Sequence, residues 1–411
     1  MSIDLKGQSP IAAGVVSLRN PVEILKCLIA LPSVNPNSHD LIGPTFYESR
    51  MTSWLVNFFD RLDVPCECQE VFPGRHNVVA RFTSPGATRT VLMDAHQDTV
   101  PVEGMTTPAF QATLKNGRVY GRGACDVKGG MASMLAAFAR LVDDAPLGAA
   151  NVIMSCTVDE EYTAIGARQL AFAWNSEADS DLIIGTLPDL ALVAEPTELN
   201  VIVAHRGVVR WKIRTRGRAC HSSQPEDGVN AIYKMARLLN CLEEYARNLP
   251  GTLAPHPLCG SPSMSVGRIT GGISVNIVPD ECEIEIDRRL APGEEPVQAM
   301  QDVEAYLRAR VDVDFEMLPP WVAMEALSDG NNGEAANELL RHISDVAGPR
   351  ARQGALYGTN ASRFAHAGVP SLIFGPGSIQ QAHTVDEWIE IDQLHLAQEI
   401  YYRFCAGEEA G

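Results

Sequence analysis

The run Val91-Leu-Met-Asp-Ala-His96-Gln-Asp98-Thr-Val-Pro101 begins as an apolar strand and ends in a histidine, one residue, and an aspartate. Open α/β sheets carry their ligand sites at the carboxyl ends of strands, so a His-x-Asp pair at this place sits where a site is expected. A histidine held by a neighbouring carboxylate has a fixed tautomer and a more basic ring nitrogen, which is what a metal ion requires of its ligand. His96 then reads as a ligand and Asp98 as the group that orients it. Taken alone, the pattern also describes a hydrogen-bonded surface histidine.

The chain on either side repeats the same organisation. Pro21 to Leu31 and Thr45 to Leu62 have helical spacing and are followed by strand-like runs at Asn77 to Phe82 and Thr90 to Asp94. Val119 to Gly123 leads into a helix over Gly129 to Leu141, where Met131, Met134, Leu135, Phe138 and Leu141 recur at helical spacing as core filling. Asn151 to Val158 follows as a buried strand. Strands alternating with helices predict an α/β layer. Around residue 206 the character changes to long alternating strands, at Val208 to Arg216, Ser263 to Thr270, Ser274 to Val278 and Glu281 to Leu290. A helix from Gly228 to Leu249 lies between them. A second helical run after Pro292-Gly293 reaches Val311, and a strand covers Val313 to Met317. This is the order of a small α+β sandwich, placed at residues 207–318. Helix Asn337 to Ala347 and strand Ser371 to Phe374 then resume the first pattern, so residues 1–206 and 319–411 form one domain that the insert interrupts.

The composition fits globular domains. Of 411 residues 45% are hydrophobic and 20% charged, ample for two or three cores. With 51 acidic against 33 basic side chains the formal charge is −18, which repels phosphate backbones and anionic lipid, so neither nucleic acid nor membrane is expected as a partner. The longest basic stretch alternates Arg206, Arg210, Lys212, Arg214, Arg216 and Arg218 and reads as one solvated strand face. Ile11 to Val16 is too short an apolar run for a signal peptide, and no stretch approaches the roughly 20 apolar residues of a membrane span. Ten dispersed cysteines without repeated C-x-x-C pairs fit reduced thiols and a cytoplasmic location. Cys66 and Cys68 would share one face of a strand.

Four more segments carry chemistry. Tyr120-Gly-Arg-Gly-Ala-Cys-Asp126-Val-Lys-Gly-Gly130 is a glycine-dense turn before a helix. Its spacing fits neither a dinucleotide fingerprint nor a phosphate loop, and its glycines let the backbone approach a site closely. The strand ending at Val158 runs into Asp159-Glu160-Glu161, and like charges this close are costly unless a cation neutralises them or one keeps its proton. Adjacent Glu160 and Glu161 diverge at a strand end, so one can ligate a metal while the other moves a proton. Leu190 to Ala194 ends in Glu195-Pro196-Thr197, and an apolar strand precedes the loop holding Ala382-His383. Five strand ends or following loops thus deliver a His, Asp or Glu to what reads as one sheet. Two histidines and three carboxylates match a zinc pair with one bridging carboxylate, a mixed N/O set that also suits cobalt or manganese.

These residues resemble the cocatalytic zinc amidohydrolases and metallopeptidases that include acetylornithine deacetylase, succinyl-diaminopimelate desuccinylase, aminoacylase and glutamate carboxypeptidase. The ordered patterns H-x-D, G-x-x-D-x-K-G-G, E-E, E-P-T and a late A-H are matched at His96 and Asp98, Asp126 with Lys128-Gly129-Gly130, Glu160 and Glu161, Glu195, and His383. The resemblance implies a zinc-exopeptidase-like catalytic domain with a mixed central sheet flanked by helices, interrupted by a smaller dimerisation domain. It implies two zincs per chain, with Asp126 bridging, His96 and Glu195 completing one position, Glu161 and His383 the other, and Glu160 as general base. It further implies that His221, in Gly217-Arg-Ala-Cys-His221-Ser-Ser-Gln-Pro, reaches the partner subunit's active site in a homodimer and helps to hold the oxyanion. Asn276 and Arg289, from N-x-x-P and D-x-R patterns, are implied as substrate contacts, an arginine fork suiting a carboxylate; an ion pair with Glu285 or Asp287 is the other reading of Arg289. Many relatives read Gly-Thr-Asp-Ala where this chain has Gly358-Thr359-Asn360-Ala361, so Thr359 and Asn360 join the candidate substrate contacts, and preference for a cationic side chain is less secure. The expected activity is hydrolysis of the amide of an N-acyl amino acid by a metal-activated water. The alternatives are a carboxypeptidase or dipeptidase using the same metals, and a non-catalytic binder of amino-acid derivatives, against which the intact Glu160 argues.

Overall fold

The computed structural model describes residues 17–37, 39, 41–175 and 183–407; the Ile11 to Val16 stretch lies outside them. The elements run α1 (Pro21–Ile29), α2 (Ser49–Arg61), β1 (Cys66–Phe72), β2 (Arg75–Phe82), β3 (Thr90–His96), β4 (Thr113–Lys115), β5 (Arg118–Tyr120), α3 (Lys128–Asp144), β6 (Asn151–Thr157), α4 (Ile165–Asn175), β7 (Leu190–Val193) and β8 (Val201–His205). They continue as β9 (Gly207–Arg216), α5 (Ala231–Asn248), β10 (Ser263–Gly271), β11 (Glu281–Leu290), α6 (Pro296–Arg308), β12 (Glu316–Met317) and β13 (Val322–Met324). The remainder is α7 (Gly333–Ala347), β14 (Arg352–Ala355), α8 (Ala361–His366), β15 (Ser371–Ile373), β16 (Trp388–Glu390) and α9 (Ile391–Ala406). The chain up to Val203, Asp329–Gln353 and the chain from Thr359 onward make one compact unit; Ala204–Ser328 with Gly354–Gly358 make the other.

In the first unit the main sheet has the order β1-β2-β6-β3-β7-β15-β8-β14. Strands β6, β3, β7 and β15 are neighbours and parallel, while β1, β2 and β8 join antiparallel. Strand β3 is buried along its whole length, the burial on both faces that parallel strands in an α/β layer show. The consequence for function is geometric. Four adjacent parallel strands present their carboxyl ends along one edge, and the residues after each end are brought together however far apart they lie in sequence.

Local signals explain the helices that frame this edge. The Asn20 side chain accepts from Val22 N and Glu23 N at the start of α1, with Pro21 in the first turn, a favourable cap and a favourable first helical residue. Helix α3 is buried on nearly all sides. Its opening Lys128-Gly129-Gly130 has a packing reason: a Cβ on Gly129 would lie 2.4 Å from Ala124 O, and one on Gly130 2.9 Å from the Cβ of Ala194. Lys128 Nζ is fully buried and donates to Leu28 O at 3.0 Å and Leu31 O at 2.8 Å, tying α3 to the carbonyl end of α1. Burial pushes this ammonium down to about 7.

In the second unit the order is β10-β11-β9-β12, with β13 also on β9. Trp211, Ile213, Ile284 and Ile286 share a core with Leu238 and Leu242 of α5 and Val303 and Leu307 of α6. On the opposite face Arg210 pairs with Asp287, Lys212 and Arg214 with Glu283, and Arg216 with Glu281 and Glu316. The alternating basic stretch is thus a cross-strand ion-pair ladder, each pair contributing at most about 1 kcal/mol because it faces water.

Several boundaries differ from the sequence reading. Ser274 to Val278 is not a strand: β10 stops at Gly271, Gly272 has φ +73°, Ile277 N bonds Ser274 O, and only an isolated bridge joins Ile277 to His221. Alternation alone could not reveal that Gly271-Gly272 ends the ladder. Helix α2 begins at Ser49 rather than Thr45. Elements α4, β8, β14, α8 and α9 carry no expectation from sequence. None of the ten cysteines forms a disulfide, and among the described residues no helix is long and apolar enough to cross a membrane.

Candidate metal centre

The ends of β6, β3 and β7 deliver Glu160 and Glu161, His96 and Asp98, and Glu195; the turn between β5 and α3 delivers Asp126; and the loop after β15 delivers His383. Two donor sets result. His96, Asp126 and Glu195 each offer an atom within 4.8 Å of the other two, and so do Asp126, Glu161 and His383. Asp126 is common to both. Its Oδ1 lies 3.2 Å from His96 Nε2 and its Oδ2 3.3 Å from His383 Nε2, which is 3.2 Å from Glu161 Oε2.

The electrostatics are those of a site that lacks positive charge. Burial pushes the Glu160 carboxyl up to about 8; His96 opposes the rise, while Glu161, Asp126 and Asp98 add to it. Burial, then Asp126, raises Glu161 to about 6, and burial, Asp126 and Glu160 hold Glu195 well above the usual carboxylate range. Burial would raise Asp126 too, but bonds to the His383 and His96 rings hold it well below. Glu161 Oε1 is buried without a hydrogen-bond partner. Clustered buried carboxylates, an orphan acceptor oxygen and two imidazoles facing one shared aspartate form a set that divalent cations would satisfy. Two N/O sets of three fit a pair of metal ions.

A second layer holds the first. The His96 Nδ1 atom lies closest to the backbone O of Asp98, at 2.9 Å, against 3.6 Å to the Asp98 carboxylate. That carboxylate instead accepts from Glu160 N and Glu161 N, both at 3.1 Å, and from Asn35 Nδ2 at 2.8 Å. Asp98 therefore fixes the backbone of the two glutamates as well as the ring. Asn35 also donates to Asp159, and Arg75 bonds Asp159 and both oxygens of Glu48 while stacked between Tyr47 and Phe72. The Glu387 carboxylate, fully buried, accepts from Gly123 N, Cys125 N, Asp126 N and Arg122 Nη1. Sequence reasoning did not single out Asn35, Glu48, Arg75 or Glu387; their partners lie tens to hundreds of residues away.

Asn360 is 1% exposed, and its Nδ2 donates at 3.0 Å to Asp94 Oδ2 and to Thr157 Oγ1. Asp94 is fully buried in β3, bonded also by Ser155, and burial raises it to about 6. The amide at position 360 is thus the donor that Asp94 needs, and a carboxylate there would face another carboxylate. Asn360→Asp is expected to destabilise the fold by on the order of 3 kcal/mol at neutral pH, the scale for a buried charge without a partner; a denaturant midpoint equal to wild type would contradict this. Thr359 is fully buried, and its Oγ1 accepts from Ala361 N at the start of α8.

The remaining candidates belong to the second unit. His221 is exposed, and its Nδ1 lies 2.7 Å from Ser223 Oγ and accepts from Ser223 N at 3.2 Å. Asn276 neighbours it: Ser222 N bonds Asn276 O, and Ser274 Oγ bonds Asn276 Oδ1. Arg289 pairs with Asp287, Nε to Oδ1 at 2.6 Å, which is the ion-pair reading of that residue.

Comparison with known proteins adds an independent line. A model of peptidase family M20/M25/M40 matches residues 92–406. An acetylornithine deacetylase from Proteus mirabilis (strain HI4320) is 32% identical over 96% of this chain and 99% of its own. One from Myxococcus xanthus is 30% identical over 80% and 84%. Among solved structures, an M20 family metallo-carboxypeptidase from Sulfolobus solfataricus shares the fold, with a TM-score of 0.75 at 17% identity over 94% of this chain and 98% of its own.

Proposed function

We propose, from the fact that this chain belongs to peptidase family M20/M25/M40, that it is a metal-dependent hydrolase of the amide bond in N-acyl amino acids. Relatives named acetylornithine deacetylase support a linear N-acyl amide as the bond it cleaves. One observation carries the chemistry: two donor sets meet on Asp126 at the ends of three neighbouring parallel strands, with Glu160 beside them and in neither set.

Asp126 would bridge two metal ions, with His96 and Glu195 on one and Glu161 and His383 on the other; zinc fits these ligands, and cobalt or manganese could replace it. When bound, the pair supplies Lewis acidity that makes a water acidic near neutral pH and polarises the scissile carbonyl. Glu160 takes the water's proton and returns it to the leaving amine. Its backbone N–H, anchored on Asp98 Oδ1 at 3.1 Å, keeps the carboxylate in place between those two transfers.

The second unit supports a homodimer in which His221 completes the partner's site. Ser223 N donates to His221 Nδ1, so the neutral ring carries its proton on Nε2 and presents a donor suited to an oxyanion. Ile269, Ile273, Val275 and Tyr233 are exposed on the same unit, apolar side chains that a partner subunit would cover. Asn276, beside His221, and Arg289 would contact the substrate carboxylate, Arg289 by exchanging its bond to Asp287. Thr359 and Asn360, expected as substrate contacts, are both buried and would bear on substrate binding only through the residues they support. Cysteines without disulfides fit a cytoplasmic enzyme.

The test is hydrolysis of a panel of N-acetyl, N-succinyl and N-formyl amino acids and dipeptides, before and after chelation, with metal content measured on the same sample. Chelator-sensitive release of an amino acid from an N-acyl compound, with about two metal ions per chain, is the expected result. Cleavage of dipeptides alone would make it a peptidase, and a metal-loaded protein silent on every compound would leave a binding role.

A further inference from the structure

We infer that Glu387 is the positioning residue of the metal centre, holding Asp126 so that both metal positions depend on it; this rests on the two-metal reading above. Its Oε1 accepts from Cys125 N at 2.8 Å and Asp126 N at 2.9 Å. Its Oε2 accepts from Gly123 N at 2.9 Å and Arg122 Nη1 at 2.8 Å. Its own carbonyl accepts from Gly121 N at 3.1 Å. Three peptide N–H groups of the 121–127 turn thus converge on one buried carboxylate, the concave donor arrangement in which a backbone holds an anion. The neighbouring residues lock the same contact as a ladder, since Trp388 pairs with Tyr120 and Ile389 with Val119.

One of these bonds is made by the backbone nitrogen of Asp126 itself, whose two carboxylate oxygens lie toward His96 and His383. Glu387 also follows His383 by four residues, so one short segment carries a terminal ligand and clamps the shared one. A glutamine could not replace it. Either orientation of the amide turns an NH2 toward two N–H donors, leaving those buried groups unpaired.

The role predicts a signature distinct from the loss of a terminal ligand. Removing His383 strips a ligand from one set only, whereas shifting Asp126 disturbs both. In Glu387→Gln both binding steps are expected to weaken together, by roughly 10- to 100-fold, the usual consequence of losing a partner behind a metal ligand. The measurements are Co2+ titration followed by visible absorption, Zn2+ competition against a chromophoric chelator, and near-UV circular dichroism of the metal-free proteins. Joint weakening in a folded variant, alongside weakening of one step alone in His383→Ala, supports the clamp. Wild-type affinity at both steps, or weakening of a single step, overturns it. Should Glu387→Gln not fold, Glu387→Asp keeps the anion but withdraws it by one methylene; the same joint weakening is expected, and wild-type affinity in the folded aspartate variant overturns the inference. A wild-type protein that binds fewer than two ions defeats the two-metal reading itself, whereas two ions bound equally well by wild type and variant defeat only the clamp.

Discussion

Glu160→Gln is expected to lower kcat on the N-acyl substrate by about 10²- to 10⁴-fold, the usual contribution of a positioned general acid–base group, with metal content unchanged. The separation of the two readouts follows from geometry, because Glu160 belongs to neither donor set. Glutamine has nearly the same shape and keeps the backbone bond to Asp98, so the change removes proton transfer and little else. Its effect should fall on kcat rather than KM, since the lost interaction is made in the transition state. Near-normal turnover in a variant holding two ions would remove Glu160 from the reaction and shift attention to Asp98 or a water chain.

Asp126→Ala has the other large effect, and on a different quantity. As the one residue common to the two sets, it should leave neither position able to retain an ion through gel filtration, while Glu195→Ala, which strips one set alone, should keep about one ion per chain. Losing several kcal/mol of Lewis-acid stabilisation, at about 1.36 kcal/mol per tenfold, corresponds to a rate loss of roughly 10³-fold or more. Elemental analysis of the two variants side by side gives the answer. One tightly held ion in Asp126→Ala would show that the positions are independent and that the shared carboxylate is not a bridge.

What could be read in the sequence, and what could not, follows from the reach of each signal. His96, Glu160, Glu161 and Glu195 each stand one to three residues past an apolar strand, so a local pattern finds them, and parallel pairing of β6, β3 and β7 makes their convergence a property of the layer. The outward alternation of Arg210, Lys212, Arg214 and Arg216 was legible for the same reason. Glu387 was not, since its partners at 122–126 are separated from it by more than 260 residues and nothing local marks an anion receptor. Asn35 and Arg75 lie in loops and strand starts of ordinary composition, and their meeting with Asp98 and Asp159 depends on how α2 and β2 pack. Asp94 did leave a trace, a charge inside a run that is otherwise apolar, and a strand buried on both faces has no water to offer it. Ser274 to Val278 shows the converse, where alternation without partner information suggested a strand that the glycines forbid.

The order of strands also bears on how the polypeptide is made. Strand β15 lies between β7 and β8 inside the large sheet, yet it leaves the ribosome about 180 residues after β7, and α9, which covers α3, emerges after every other described element. The intervening unit finds nearly all its pairings between Ala204 and Ser328 and can close while synthesis continues. The earlier strands cannot. Until β15 is released, β7 is paired on the β3 side alone, and until α9 follows α3 lacks its cover, so the nascent chain exposes an open parallel edge over the whole stretch between β7 and β15. Such long-range closure is slow and prone to aggregation, which makes β15 and α9 decisive for recovering folded protein: stop codons between Ser371 and Ala406 should yield aggregated rather than merely inactive chains.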